Sequence, residues 1–144
     1  MYLDDVKINT TIKLPPVVME KEQMFQFAKL YDPLPLHLDE EYAKNTRFGA
    51  LIAPGVMSFM AVWGRFAEMD TFGDALVAGK STNIQWFKPV YMGDTLYGTI
   101  RFTNITRRNA YNGTVEITMD VFNQHGEQVI TSVTESVVKY RQDP

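Results

Sequence analysis

The sequence predicts an α+β domain in which a curved antiparallel sheet wraps one long, mostly apolar helix. Two runs predict it. From Thr114 to Phe122, apolar and polar residues alternate, which puts Val115, Ile117, Met119 and Val121 on one face of a strand. From Val56 to Met69, Val56, Met57, Phe59, Met60, Ala61, Val62, Trp63, Phe66 and Ala67 surround a helix with apolar side chains, so it is expected to be buried on most sides. Their order is the third observation. The helix precedes a meander of about four strands, and a meander with one apolar face needs a cover. At 144 residues the chain is read as a single domain, 1–144.

The elements follow in chain order. Val6, Ile8, Ile12 and Leu14 alternate with Lys7, Asn9 and Lys13, giving a half-buried strand that Pro15 and Pro16 end. From Met19 to Tyr31, the spacing of Met24, Phe27, Ala28 and Tyr31 is helical, and Pro33 stops the helix at Tyr31–Asp32. The stretch Y-D-P-L-P-L-H, with two prolines, is expected to be neither helix nor central strand. Asp39 caps a short helix, and Pro54 suits the first turn of the long one, which should end near Gly73. Strands are expected over Ser81–Val90, Asp94–Thr106, Thr114–Phe122 and Val129–Tyr140. Turns are read at Met92–Asp94, at Asn112–Gly113 as a hairpin, and at Gln124–Gly126. A curved sheet around a central helix is the hotdog arrangement.

Composition narrows the function. The net charge of −3 argues against a nucleic-acid surface, and the absence of cysteine excludes disulfides and thiolate metal sites. No apolar run reaches transmembrane length and no signal peptide is visible, so a cytoplasmic protein without membrane association is expected.

Two places carry possible chemistry. Asp32 and His37 lie five positions apart on a proline-stiffened segment. Read bluntly, Asp-Pro is turn chemistry and the histidine is packed. Read sharply, a carboxylate and an imidazole on one loop form an acid–base pair able to share a water. Gly49, Pro54 and Gly55 lead into the long helix. They serve simply as a helix entry, or they offer free N–H groups that stabilise negative charge. His125 sits in a turn and is expected to be inert. Glu68 and Asp70 read as a solvated helix end or as a thioesterase carboxylate. Lys88, Arg107 and Arg108 read as edge charges or phosphate contacts. No phosphate-binding loop, dinucleotide fingerprint or metal-ligand cluster is present, so no metal site is expected.

The block from F-A-K-L-Y-D-P-L-P-L-H to F-G-A-L-I-A-P-G resembles the hydratase motif of the MaoC-like dehydratases, which include the R-specific enoyl-CoA hydratases. Asp32, His37, Asp39, Phe48-Gly49 and Gly55 match in order and spacing, and F-K-P-V-Y-M-G-D-T-L resembles the family's strand–turn segment. The resemblance implies a hydro-lyase acting on trans-2-enoyl-CoA or 3-hydroxyacyl-CoA. Asp32 and His37 would handle the water, Asp32 as base and His37 as acid, and the Gly55 N–H would hold the thioester oxygen. Pro54 would line the substrate site, and Asp32 would be buried near the apolar helix. No metal or redox cofactor is implied, since coenzyme A belongs to the substrate. A homodimer or higher homo-oligomer is implied, with the coenzyme near the interface. Three positions depart from the pattern. Tyr31 and Leu34 stand where the motif has Gly and Asn, and Trp63 stands where hydratases carry a helix serine. Leu34 and Trp63 are assigned to the substrate site, and Trp63 points to a short or branched acyl group. The rival readings are a hotdog thioesterase using Glu68 or Asp70, and a non-catalytic acyl-CoA-binding subunit.

Overall fold

The computed structural model describes residues 1–143. A 3₁₀ turn at Leu3–Asp5 precedes β1 (Thr11–Lys13) and β2 (Val17–Val18). Helices α1 (Lys21–Tyr31), α2 (Pro35–Leu38), α3 (Glu40–Lys44) and α4 (Gly55–Ala67) follow. The chain then turns through Gly73–Ala75 into β3 (Leu76–Trp86), β4 (Thr95–Arg107), β5 (Asn112–Phe122) and β6 (Gln128–Lys139). The strands form one antiparallel sheet of order β1-β4-β5-β6-β3, with β2 also on β4. This is the hotdog arrangement read from the sequence pattern.

The alternation of β5 is realised: Val115, Ile117, Met119 and Val121 are fully buried and face α4 together with Ile100 and Phe102 of β4 and Ile130 of β6. Helix α4 lays Met57, Phe59, Val62 and Phe66 on this surface. It comes so close to β4 that a Cβ on Gly98 would stand 2.4 Å from Val62 Cγ1. Phe66 and Phe72 each meet the Phe102 ring, at 6.5 and 5.9 Å between centroids.

Four expectations need correction. The first strand is short, because Asn9 adopts a left-handed conformation (φ 66°) that breaks the run and turns Ile8 outward. The second proline of Y-D-P-L-P-L-H starts a helical turn instead of preventing one. Pro35 is the first helical residue, where a missing N–H costs nothing. Asn112 and Gly113 are not the hairpin turn but the start of β5, with Gly113 opposite Arg107. The turn is made by Asn109, whose side-chain oxygen accepts from the N–H groups of Tyr111 and Asn112. Finally, α4 is not covered all round. It ends at Ala67, and Val56 and Met60 are each 49% exposed.

The two sheet edges also differ. Strand β1 is three residues long, whereas β3 is an eleven-residue edge strand, exposed except at Ile84.

Candidate active site

The site forms where α1, α2 and the start of α4 converge. Asp32 is the C-cap of α1, its N–H donating to the Ala28 carbonyl at 2.9 Å. The turn of α2 then brings His37 back, its N–H donating to Leu34 O at 3.0 Å. His37 Nε2 lies 3.2 Å from Asp32 Oδ2. The imidazole is buried, 5% exposed, while the Asp32 side chain is 37% exposed, more open than its expected burial against the apolar helix. Pro33 and Pro35 restrict the connecting backbone, so the pair is held with little conformational freedom to lose.

The other ring nitrogen decides the protonation pattern. His37 Nδ1 sits 2.8 Å from the carbonyl of Ile52. A carbonyl only accepts, so Nδ1 carries a hydrogen, and the proton that can be exchanged is the one at Nε2, toward Asp32. Nothing local in the sequence indicates Ile52 as the residue that sets this tautomer. It does so through the return of the chain beside α2, where its N–H also reaches Leu36 O at 3.4 Å.

Gly55 opens α4. Its N–H has no intrahelical partner, and Pro54 at the N-cap supplies no capping side chain. Two cavities flank the Pro54–Gly55 step. One, of about 300 Å³, is lined by His37, Phe48, Gly55, Ser58, Trp86 and Lys88. The other, of about 500 Å³, is lined by Phe27, Tyr31, Asp32, Pro54 and Val56. The Asp32–His37 pair thus bridges two clefts, with the helix N-terminus between them.

The structure sorts the remaining residues. Asp39 caps α3, accepting from Tyr42 N–H at 3.0 Å. Phe48 walls the first cavity, and its carbonyl is tied by Tyr91 Oη–H at 3.0 Å. Leu34 is half-exposed on the loop between the pair and lines neither cavity. Trp63 also lies outside both. It stacks on Phe59 and meets Phe66 edge-on further along α4, and it lines a separate cleft with Met60, Leu76 and Thr134. Glu68 faces solvent and pairs with Arg65, and Asp70 sits on a left-handed residue past the helix end; neither lines a cavity with His37. His125 is exposed in its turn. Lys88 is paired with Glu127, and its ammonium, helped by the Asn123 amide, holds the Glu127 carboxyl below the usual carboxylate range. Ser58 and Trp86 were not singled out by sequence reasoning, although both line the cavity.

A family model described as the MaoC like domain matches residues 5–136. The chain belongs to the MaoC-like domain family. It is 27% identical over 140 residues to the uncharacterised protein YdeM of Bacillus subtilis, covering 96% of this chain and 99% of that one. It is 28% identical over 105 residues to an (R)-specific enoyl-CoA hydratase of Rhodospirillum rubrum, covering 72% and 71%. The crystal structure of a MaoC-like dehydratase from Rhodospirillum rubrum superposes with a TM-score of 0.84 at 28% identity, over 99% of both chains. Among the described residues, no helix of this MaoC-like chain is long and apolar enough to cross a membrane.

Proposed function

We propose that the protein is a hydratase/dehydratase, a hydro-lyase that adds water to a trans-2-enoyl-CoA or removes it from a 3-hydroxyacyl-CoA; with Trp63 outside both cavities, its expected restriction to a short or branched acyl group loses its support. The observation that carries this reading is the Asp32–His37 pair at 3.2 Å beside an uncapped helix N-terminus at Gly55. In hydration, the thioester oxygen takes the Gly55 N–H, which stabilises the negative charge that develops there. A water held between Asp32 and His37 adds to C3, losing a proton to the Asp32 carboxylate. Imidazolium His37 delivers its Nε2 proton to C2, while Nδ1 keeps its hydrogen and goes on donating it to the Ile52 carbonyl. The proton on Asp32 then crosses the short gap to Nε2 and restores the starting state. Dehydration is the reverse. The chemistry calls on no metal or redox cofactor, and coenzyme A enters as part of the substrate.

The expected partner is a second copy of the chain in a cytoplasmic homodimer. The long exposed edge of β3 and the uncovered Val56 and Met60 of α4 are the surfaces such a copy would cover. Incubation with crotonyl-CoA tests the reading. Loss of the enoyl absorbance without free thiol supports it. Free thiol would mean a thioesterase, and binding without turnover would mean an acyl-CoA-binding subunit. Light scattering of the purified protein tests the dimer.

A further inference from the structure

We propose that Trp86 is a positioning residue for the helix N-terminus that receives the substrate carbonyl; this rests on the hydratase reading above. Trp86 is the last residue of β3, and on a sheet edge an indole would ordinarily need no partner. Here its Nε1–H donates to the Gly55 carbonyl at 2.9 Å, across thirty-one residues of sequence. Ser58 Oγ–H donates to the same oxygen at 2.7 Å. The ring also covers the Gly55 Cα: a Cβ there would lie 2.8 Å from Trp86 Cε2 and 2.9 Å from Nε1. All three residues line the cavity that contains His37.

The physical need for such a clamp comes from Pro54. A helix start is normally fixed by a side-chain cap, and Pro54 has no polar atom to offer. The first turn of α4 would otherwise be steered only by its loop. Two donors on one carbonyl fix the orientation of the Gly55–Val56 peptide, and the indole limits how far the Gly55 backbone can move toward the strand. The aim of the adjoining N–H groups depends on that orientation. An oxyanion donor displaced by a fraction of an ångström loses much of its effect on rate while the ground-state contacts of the thioester tail remain. Trp86 therefore acts through Gly55. The same close approach leaves no room for a Cβ at position 55 unless the indole shifts.

The test uses crotonyl-CoA kinetics on the full chain. Trp86→Phe keeps the ring and removes the donor. It is expected to lower kcat by about five- to tenfold with KM changed by less than about twofold, at an unshifted pH profile and a similar melting temperature. An unchanged kcat per folded molecule would overturn the proposal. Gly55→Ala is expected to lose most activity because its methyl meets the indole. Adding Trp86→Ala is expected to restore part of that loss, whereas effects that simply multiply would overturn the clamp. If the wild type hydrates no enoyl-CoA, the hydratase reading fails and the clamp is judged separately. In Trp63→Phe protein the single indole N–H then belongs to Trp86. Exchange with solvent at least about tenfold slower than a free indole supports the clamp, and exchange at the free rate overturns it.

Discussion

Different forces hold the β4–β5–β6 sheet and the segment from Asp32 to Gly55 in place. In the sheet, Ile100, Phe102, Val115, Ile117, Met119 and Ile130 are all but fully buried against α4. Each such side chain contributes about 1.5–3 kcal/mol by leaving water. No single contact dominates, and the sheet can absorb a conservative change. In the segment, the apolar residues buried are few: Ala43, Leu51, Ala53 and Pro54. Its course is set by individual hydrogen bonds, from His37 to the Ile52 carbonyl, from Tyr42 N–H to Asp39, from Tyr91 to the Phe48 carbonyl and from Trp86 to the Gly55 carbonyl. Losing one of these redirects a functional group without unfolding the domain. The sheet supplies stability and the segment supplies direction, so substitutions in the two should fail in different assays.

The largest separation is expected at Asp32. Asp32→Asn keeps the shape of the residue and removes its charge. On the hydratase reading it should lower the hydration rate by about 10²–10⁴-fold. Because the side chain is partly exposed and is a cap only through its backbone, stability should move by less than about 0.5 kcal/mol. Full activity in the folded variant would remove Asp32 from the chemistry. The opposite pattern is expected at Phe102, which packs against Phe66 and Phe72 under α4. Phe102→Ala should destabilise by about 3–5 kcal/mol in urea unfolding while leaving the rate per folded molecule close to wild type. A large rate loss in the folded fraction would mean that the core also sets the site geometry.

The same division governs what could be read from sequence. Alternation reports burial, so the faces of β5 and the apolar stripe of α4 were legible. The motif from Asp32 to Gly55 pointed to side chains that the fold brings within 3.2 Å of each other and to the helix start, because those residues lie on one continuous stretch. What stayed hidden depends on pairs far apart in the chain or on single backbone conformations. The left-handed Asn9 shortens β1, Asn109 takes the turn from Asn112–Gly113, and Pro35 starts a helix where prolines suggested none. Trp86 looked like one more strand aromatic, since nothing near it in sequence announces Gly55. Trp63 was placed by its position relative to Gly55, but two turns of helix carry it into a different cleft.

Tyr91→Phe probes the border between the two regions. Tyr91 follows the β3 end of the sheet and reaches Phe48, a wall of the His37 cavity, through its hydroxyl. Removing that one bond should cost about 1 kcal/mol of stability. The freed Phe48 wall should raise KM for an enoyl-CoA more than it lowers kcat. If instead kcat falls alone, Phe48 acts on the transition state and belongs with the pair.

The smallest effect is expected where neither burial nor the site is involved. Asp5, near the N-terminus, accepts from Tyr2 N–H at 2.9 Å and pairs with the Arg141 guanidinium, whose Nη2 lies 2.9 Å from Oδ2. The Tyr2 N–H first, and Arg141 second, hold the Asp5 carboxyl below its ordinary value, and Arg141 is correspondingly held more firmly protonated. A carboxyl depressed in the folded state contributes stability that is fully present above its unfolded value of about 3.9 and fades as pH falls through the lower folded value. Asp5→Asn should therefore melt slightly below wild type at neutral pH, and the two should converge as the pH falls through the lowered folded value. The ion pair lies at the surface, half-exposed to solvent, so added salt should shrink the neutral-pH difference as well. A difference that persists at low pH and high salt would show that Asp5 holds the chain end by the turn it caps and not by its charge.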